Sequence, residues 1–506
     1  MSRIIEEEND PEVLRAYLRF TSSEVERLKK ENEKLRTKAE EKAQQQLSSD
    51  DQLLKLKHRL FGKSSEKRPI DRKRDKSEDQ LLLHSNSLMP APEDKKSDQP
   101  LPEIQVDHRM DAEMLADIAE EYGYPRDSEW EELKGLYDKS FEVDVEAKKY
   151  RRKKHRRFKY RLKRSKGSDS EVIVTASGPL KLIPGSSYSL DFAVEAAADK
   201  YLYHMPFERQ RRQMEALGLH LTCKTLYSMC FYLSCHLEKV IEKIRSEIFE
   251  AWLAVHVDET TWPIGNSKQS DGYMWVLSNA AGSYYRFEPS RGGKIAKELL
   301  GSYEGPIVTD GYAGYEQFRD SRGIKLAHCW AHVRREFIDI EQNYPQECVE
   351  VLDLIKELFK VERKAKSFEK LKALRRKESR EIVDEIQAWL IDKKQTVRSE
   401  SGLMKAVNYA LNRWTGLTKF VKDVRIPLTN NEVERTIRHA VVGRKNSYGS
   451  RTINGADVAA VFYTVIESCK KVHLDPKEYM RLVARASAEG LEPPTPLQYA
   501  KNLRNH

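Results

Sequence analysis

Three segments that combine strand-length apolar runs with carboxylates constrain the fold of this chain most. They are AVHVDETTWPI with Asp258, GPIVTDGYAGY with Asp310, and PLTNNEVERTIRH with Glu434. We expect Asp258 at the end of an apolar strand, Asp310 at the end of the next buried strand, and Glu434 on the first turn of a helix. Such positions are rigid and border loops that are open to substrate. Because the carboxylates are far apart in sequence, only folding can bring them together.

The segments around these carboxylates follow the order of a mixed α/β sheet. WLAVHVDE predicts a strand, and GYMWVLSN and SYYRFEPS predict a hairpin joined by Ala280-Ala281-Gly282. A helix in GGKIAKELLGSY, a strand in PIVTD, and a strand leading into a helix in IKLAHCWAH follow. Residues 333–425 have a helical pattern, and a further helix opens at NNEVER. This order is typical of an RNase H-like (retroviral-integrase-like) core with a large helical insertion.

The first and the last of the three carboxylates each have a neighbouring acidic residue that could take the same role. Glu259 follows Asp258 directly, so on a strand the two side chains face opposite ways. Glu432 precedes Glu434 by two residues, so on a helix they point to roughly opposite sides. The residues alone therefore leave Asp258 or Glu259, and Glu432 or Glu434, as exclusive alternatives.

The N-terminal region has a heptad pattern between residues 11 and 46. One seam position holds Leu18, Val25, Asn32 and Ala39, and the other holds Leu14, Thr21, Leu28 and Leu35. This pattern favours a dimerising coiled coil within residues 1–67, with a solitary charged helix as the alternative. Residues 68–107 are polar, with little apolar content, which is typical of a disordered linker.

The most basic stretch, KKYRRKKHRRFKYRLKRSK, occupies residues 148–166 without an acidic residue. Basic side chains mixed with aromatic ones suit contact with phosphates and stacking on bases. We expect this part of region 108–188, as a strand pair with one charged face, to bind DNA; a solvated basic surface is the alternative. The expected contacts are Lys148, Lys149, Arg151, Arg152, Lys153, Lys154, Arg156, Arg157, Lys159 and Arg161.

Residues 189–250 have a helical pattern. Within them, Gly218 is expected as a turn between two helices and Thr222 as the N-cap of the second. This favours either a helix-turn-helix that enters the major groove or a plain helical hairpin.

Composition and cysteine spacing narrow the class of protein. Lys+Arg number 89 and Asp+Glu 80, for a net charge of +9. No apolar run approaches the roughly 20 residues that span a bilayer, and the acidic start MSRIIEEENDPEV lacks a signal peptide, so we expect a cytoplasmic, nucleoid-associated protein without a membrane partner.

His328, Cys329 and His332 include a Cys-x-x-His pair, but no second ligand pair lies nearby, so zinc is not expected.

Several of these segments resemble the successive motifs of insertion-sequence-66 family transposases. They are DETTWPI, VTDGYAGYEQF, HCWAHVRREF, NNEVERTIRHAVVGRKNSYGS and DPKEYM, with RLFGKSSEK and KYLYHMPFERQRRQMEALGLHLTCKTLY before them. The resemblance spans about residues 50–67 and 190–485. The family's usual cysteine zinc-finger-like segment is missing, since region 125–180 has no cysteine and holds the basic stretch.

The resemblance implies a DDE-type DNA transposase with an RNase H-like core in residues 251–332 and 426–485, a helical insertion in 333–425 and a tail in 486–506. It implies Asp258, Asp310 and Glu434 as catalytic, metal-binding residues, since the family's glutamate in NNEVER directly precedes the arginine. They would hold two Mg²⁺ (or Mn²⁺) ions for DNA cleavage and strand transfer. Basic residues near Glu434 are expected to hold the DNA backbone, with ion pairing as the alternative for the first two: Arg435, Arg438, Arg444 and Lys445.

The expected partners are the double-stranded DNA of the element ends and target, and further copies of the chain in a homodimer or higher oligomer. Accessory proteins of the same element are a further candidate partner. Two other functions stay open. One is a catalytically decayed DNA-binding protein, and the other is a hydrolytic nuclease of the same fold that cuts without joining.

Overall fold

The structure is a computed structural model that describes residues 110–130, 148–161, 173–183, 185–265, 272–319 and 323–504. The predicted coiled coil and linker lie outside these residues and stay predictions. The chain divides into two compact units, one formed by residues 89–179 and 208–225 and the other by the rest.

The first segment of the smaller unit, residues 89–179, contains a helix and a short strand pair among its described residues. Helix α1 (Ala112–Glu121) begins at Asp111, whose side chain accepts hydrogen bonds from two backbone N–H groups of the first turn. Strand β1 (Lys159–Arg161) pairs antiparallel with β2 (Ile173–Thr175). Only β1 belongs to the basic stretch, so the strand pair uses one strand from outside it. The side chains from residue 151 to 160 are exposed.

Three helices follow: α2 (Leu190–Tyr201), α3 (Phe207–Ala216) and α4 (Cys223–Glu250). Gly218 between α3 and α4 has a φ of +79°, which glycine adopts at little cost. Thr222 Oγ1 accepts a hydrogen bond from the Thr225 N–H at 3.1 Å, as an N-cap does. Groove binding by α4 stays a prediction.

A five-stranded mixed sheet forms the centre of the larger unit. Its strands are β3 (Val255–Trp262), β4 (Gly272–Asn279), β5 (Gly282–Glu288), β6 (Pro306–Thr309) and β7 (Lys325–His328). The order is β5-β4-β3-β6-β7, in which β4 is antiparallel to β3 and β5, while β6 is parallel to β3 and β7. Helix α5 (Gly293–Leu300) connects β5 to β6. The expectation of an α/β core is thereby confirmed.

Two local predictions were wrong. Asp258 is the fourth of eight residues in β3 and not its last, because β3 stays paired with β4 from His256 through Trp262. The β-branched Thr260 and Thr261 favour this continuation. Gly282 belongs to β5 and pairs with Asn279, so the hairpin loop is shorter than expected.

Helices dominate the remainder. Residues 330–422 contain α6 (Trp330–Ile340), α7 (Pro345–Lys364), α8 (Phe368–Leu374), α9 (Arg380–Thr396), α10 (Gly402–Asn412), α11 (Trp414–Leu417) and α12 (Lys419–Lys422). They are followed by α13 (Asn431–Ser447), α14 (Ile453–Lys471), α15 (Pro476–Ala488) and α16 (Pro496–Arg504). The last of these lies in the region expected as a tail. Among the described residues, no helix has the length and apolarity to cross a membrane.

The insertion helices cover one face of the sheet. Ala254, Val308 and Ala327 belong to an apolar cluster formed mainly by α6, α7, α9 and α10. Val255 and Ile307, which point the other way, belong to a cluster that includes α4 and α14. Because side chains alternate along a strand, Asp258 shares the face of Ala254. The insertion therefore packs on the sheet face that carries Asp258.

Candidate active site

The register of three parallel strands places Asp258, Asp310 and Cys329 in one row. His256 pairs with Val308 across β3 and β6, and continuing this register by two residues reaches Asp258 and Asp310. Thr309 pairs with His328 across β6 and β7, so the next position reaches Asp310 and Cys329. The three residues therefore follow corresponding positions of neighbouring strands, and the charge of Asp310 acts on Asp258.

Asp258 lies in an environment that disfavours its charged form. Burial raises the pKa of Asp258 well above its usual value, and the negative charges of Asp310, Glu259 and Glu434 raise it further. Its Oδ1 accepts one hydrogen bond, from the Glu259 N–H at 2.8 Å. A cation that binds these carboxylates removes the repulsion.

The loop after β6 is fixed by its own turn and by α10. The Tyr312 N–H donates to Asp310 Oδ1 at 2.8 Å and so orients the carboxylate. Tyr409 Oη donates to the Asp310 carbonyl at 3.0 Å, and Arg413 Nη2 donates to the Gly311 carbonyl at 2.8 Å. Gly311 has a φ of +87°, and a Cβ there would lie 2.3 Å from Arg413 Nε. The position therefore requires glycine.

Asn430 ties the start of α13 to the sheet. Its side-chain N–H donates to the Val257 carbonyl at 3.1 Å, and its Oδ1 lies 3.0 Å from His256 Nδ1. Its backbone N–H donates to Cys329 Sγ at 3.1 Å. Burial lowers the pKa of His256 to about 4, so this contact is neutral at pH 7. These bonds fix the first turn of α13, which carries Glu434.

The neighbouring acids of the first pair have different partners. Glu259 accepts from Arg291 Nε at 2.6 Å and from Tyr315 Oη at 2.5 Å, and its side chain is fully buried. Asp258 instead lies with Asp310 and Glu434. Glu259 is therefore neutralised by the protein itself, whereas Asp258 is not.

The acids of the second pair differ in the same way. Glu432 binds Lys471 and Arg435, and although burial opposes it, the charge of Lys471 lowers the pKa of Glu432 to about 2. Glu434 Oε1 has no hydrogen-bond partner among the described residues. These contacts support Asp258 and Glu434 as the ligand pair; their catalytic role stays a prediction.

Cys329 and His332 border the carboxylates. The sulfur of Cys329, a ring nitrogen of His332 and a carboxylate oxygen of Glu434 all lie within 4.8 Å of one another. Burial raises the pKa of the Cys329 thiol to about 12 and lowers that of the His332 imidazole. His328 is not part of this group and lies 3.6 Å from Glu316.

The basic residues on α13 have different surroundings. Arg438 and Lys445 are exposed, and Arg435 pairs with Glu432 at 3.2 Å. Arg444 donates to Thr260 Oγ1 at 3.0 Å and also to the backbone and side chain of Thr261. Arg444 thus holds β3, while Arg438 and Lys445 have the exposure that DNA contact requires.

Sequence reasoning missed several residues that position the site. They are Arg291, Tyr409, Arg413 and Asn430. Their contacts join segments that are far apart in the chain, so no local pattern indicates them. The Asn-Asn pair before Glu434 was the one available signal, because Asn is a frequent helix-capping residue.

The oxygen-rich part of the site fits divalent cations of the magnesium class. Such ions prefer carboxylate oxygens, and here two aspartates lie side by side with a glutamate oxygen that lacks a hydrogen-bond partner in the described structure. The side chain of Asn430 also holds the backbone of Val257, and the backbone N–H of Tyr312 holds the carboxylate of Asp310. A rigid set of hard ligands is what metal-assisted phosphodiester chemistry requires.

Comparisons with known proteins give the family. The chain is 30% identical over 342 residues to the uncharacterized protein y4hP of Sinorhizobium fredii (strain NBRC 101917 / NGR234), covering 62% of each protein. It is 27% identical to the uncharacterized protein y4jD of the same strain over 345 residues, which cover 63% of this chain and 66% of y4jD. It is 28% identical to the uncharacterized protein y4qI of that strain over 375 residues, which cover 70% of this chain and 68% of y4qI. The chain thus spans less than two thirds of the first two relatives. No solved structure is significantly similar to it.

The family model described as "Transposase IS66 family" matches residues 185–458. This range contains all of the sheet, the insertion and the three candidate carboxylates. The chain therefore belongs to the IS66 transposase family.

Proposed function

We propose that this chain is a DNA transposase of the DDE type, which cleaves and joins DNA with two divalent ions held by Asp258, Asp310 and Glu434. Family membership supports DNA cutting and joining. The strand order supports an RNase H-like core, because three antiparallel strands are extended by two parallel ones on the side of the first strand. The helical insertion lies between the last strand and the helix that carries Glu434.

One observation carries this proposal: the extended β3–β6 register places Asp258 beside Asp310, and the charges of Asp310 and Glu434 both raise the pKa of Asp258. A protein keeps unpaired carboxylates together at a cost in stability, so such clusters are typical of functional sites. Glu259 and Glu432, which lie next to them in sequence, are paired with cations of the protein.

The residues have separate tasks. Asp258 presents oxygens from strand β3, Asp310 from the turn directly after β6, and Glu434 from the first turn of α13. When bound, the ions would activate the attacking water or 3′-hydroxyl and stabilise the leaving oxygen. Tyr312 and Asn430 keep the ligands in place through the bonds described above.

DNA contact is proposed for the exposed cations. Arg438 and Lys445 lie on the helix that carries Glu434, and the exposed basic stretch supplies a second charged surface. Such side chains bind phosphates without reading sequence. Further copies of the chain and accessory proteins of the same element are proposed as partners.

The test is cleavage and strand transfer on DNA that carries the ends of the insertion element, with Mg²⁺ or Mn²⁺. Asp310→Asn is expected to lower both activities at least about 100-fold, because several kcal/mol of metal-dependent stabilisation are lost. Asp392→Asn, an exposed aspartate on α9, is the matched control and should retain activity.

DNA substrates with pre-cut element ends distinguish the transposase from the hydrolytic nuclease and the decayed DNA-binding protein. Joining of pre-cut ends by the wild type, lost in Asp310→Asn, supports the transposase. Cutting without joining supports the hydrolytic nuclease. DNA binding without either reaction, with both metals, supports the decayed DNA-binding protein and overturns the proposal.

A further inference from the structure

Folding supplies the Cys-x-x-His pair with a ligand that the local sequence lacks. Cys329 ends the row of strand positions described above, and His332 lies on the first turn of α6. Glu434 reaches them from α13, more than a hundred positions later in the chain. The three ligand atoms lie within 4.8 Å of one another.

Two of these atoms have no hydrogen bond that would compete with a cation. Among the described residues, His332 Nδ1 and Glu434 Oε1 have no hydrogen-bond partner, although both atoms are buried and they lie 3.7 Å apart. An ion bonded to nitrogen and oxygen at about 2.0–2.1 Å in a tetrahedron holds these atoms about 3.3 Å apart. A contraction of a few tenths of an ångström therefore suffices.

Backbone N–H groups are directed at the third atom, the sulfur of Cys329. Cys329 Sγ accepts the backbone N–H of Asn430 at 3.1 Å, and the N–H groups of Ala331 and His332 at the start of α6 also bond to it. Backbone N–H groups and a helix N-terminus stabilise negative sulfur, and such contacts are common around metal-bound cysteines.

We propose that Cys329, His332 and Glu434 bind one thiophilic divalent cation of the zinc class, with a fourth position left to water or substrate. Sulfur and nitrogen ligands select such ions over Mg²⁺, and three protein ligands with an open position resemble catalytic zinc sites. The ion displaces the thiol proton to solvent. Binding rests on these three residues alone, whereas an effect on catalysis, through competition for Glu434, rests also on the proposed function.

Co²⁺ is the probe, added to the metal-free, reduced full-length protein. Cobalt bound to a thiolate gives a sulfur-to-metal charge-transfer band in the near ultraviolet, which cobalt on carboxylates does not give. We expect the band to saturate at one equivalent in the wild type and to vanish in Cys329→Ser. His332→Ala and Glu434→Gln are expected to weaken cobalt binding at least about tenfold.

Two controls make the result specific. Cys235→Ser removes an exposed thiol and should keep the band. Asp258→Asn should also keep the band while losing strand transfer, so failure of the metal site and failure of the proposed function are distinguishable.

Three results overturn the proposal: no band in the wild type, a band that persists in Cys329→Ser, or unchanged cobalt affinity in both His332→Ala and Glu434→Gln. Cys329 is buried, so circular dichroism checks the folding of Cys329→Ser. If that variant does not fold, the cobalt affinities of His332→Ala and Glu434→Gln, which change two partly exposed residues, test the proposal instead.

Discussion

Asp258 and Glu259 are adjacent in the chain, but their carboxyl groups have opposite surroundings. Glu259 is bound by Arg291 and Tyr315, while the surroundings of Asp258 include Asp310 and Glu434. In the first arrangement the protein itself compensates the buried carboxylate, whereas the second is compensated only when a cation binds. The same contrast separates Glu432 from Glu434 on α13.

Asp258→Asn is therefore expected to stabilise the metal-free protein. Replacing a carboxyl group whose ionised form is disfavoured by folding should raise the melting temperature in EDTA by roughly 1–3 °C. Because folding raises the pKa of Asp258, the folded state keeps a proton that the unfolded state releases above about pH 4. The gain should thus be present at pH 7 and should disappear as the pH falls to about 4.

Glu259→Gln is the matched comparison at the next position. It should lower the melting temperature, because Arg291 then loses the carboxylate with which it pairs. Equal melting temperatures for wild type and Asp258→Asn in EDTA at pH 7 would contradict the description of a repulsive cluster.

Part of the arrangement of individual residues in the candidate site was predictable from the sequence. Strand alternation correctly separated Asp258 from Glu259, and helix geometry separated Glu432 from Glu434. The group of Cys329, His332 and Glu434 was not foreseen, because its third member lies on a helix that follows the entire insertion. Local patterns carry no information on such a contact.

At the scale of elements, the turn after β6 connects the sheet to the insertion. Arg413, which directly follows α10, donates to the Gly311 carbonyl, and Tyr409 of α10 donates to the Asp310 carbonyl. The insertion is thus part of what positions Asp310, although it contributes none of the three candidate carboxylates.

Gly311→Ala tests this connection. The added Cβ meets Arg413, and the positive φ is strained for alanine, so we expect a lower melting temperature and at least about tenfold weaker strand transfer. Gly490→Ala is the control, since Gly490 has a φ of +74° with no atom within 4 Å of the added Cβ. If Gly311→Ala retains full strand-transfer activity, α10 does not position Asp310.

Element order was largely predictable from the chain, and element ends were not. Apolar runs indicated the five strands and the helix between β5 and β6. The end of β3 was misplaced because an Asp-Glu pair reads as a strand boundary, whereas pairing with β4 continues to Trp262. Cross-strand pairing decides where a strand ends, and it is not visible in one segment.

At the scale of the whole molecule, the sheet is covered on its two faces by helices from different parts of the chain. The face of Asp258 is covered by the insertion, and the other face by helices that include α4 and α14. Helical periodicity predicted that residues 333–425 form helices. It gave no indication of which sheet face they cover, because that choice depends on contacts between distant segments.

The most direct measurement of the metal centre is anomalous scattering from Mn²⁺ in crystals of the protein with element-end DNA. If the carboxylates form a two-ion site, two manganese peaks should lie about 2 Å from oxygens of Asp258, Asp310 and Glu434. Both peaks should be lost in Asp310→Asn. Manganese that is absent from Asp258 and Asp310 in the wild-type complex would contradict the proposed catalytic centre.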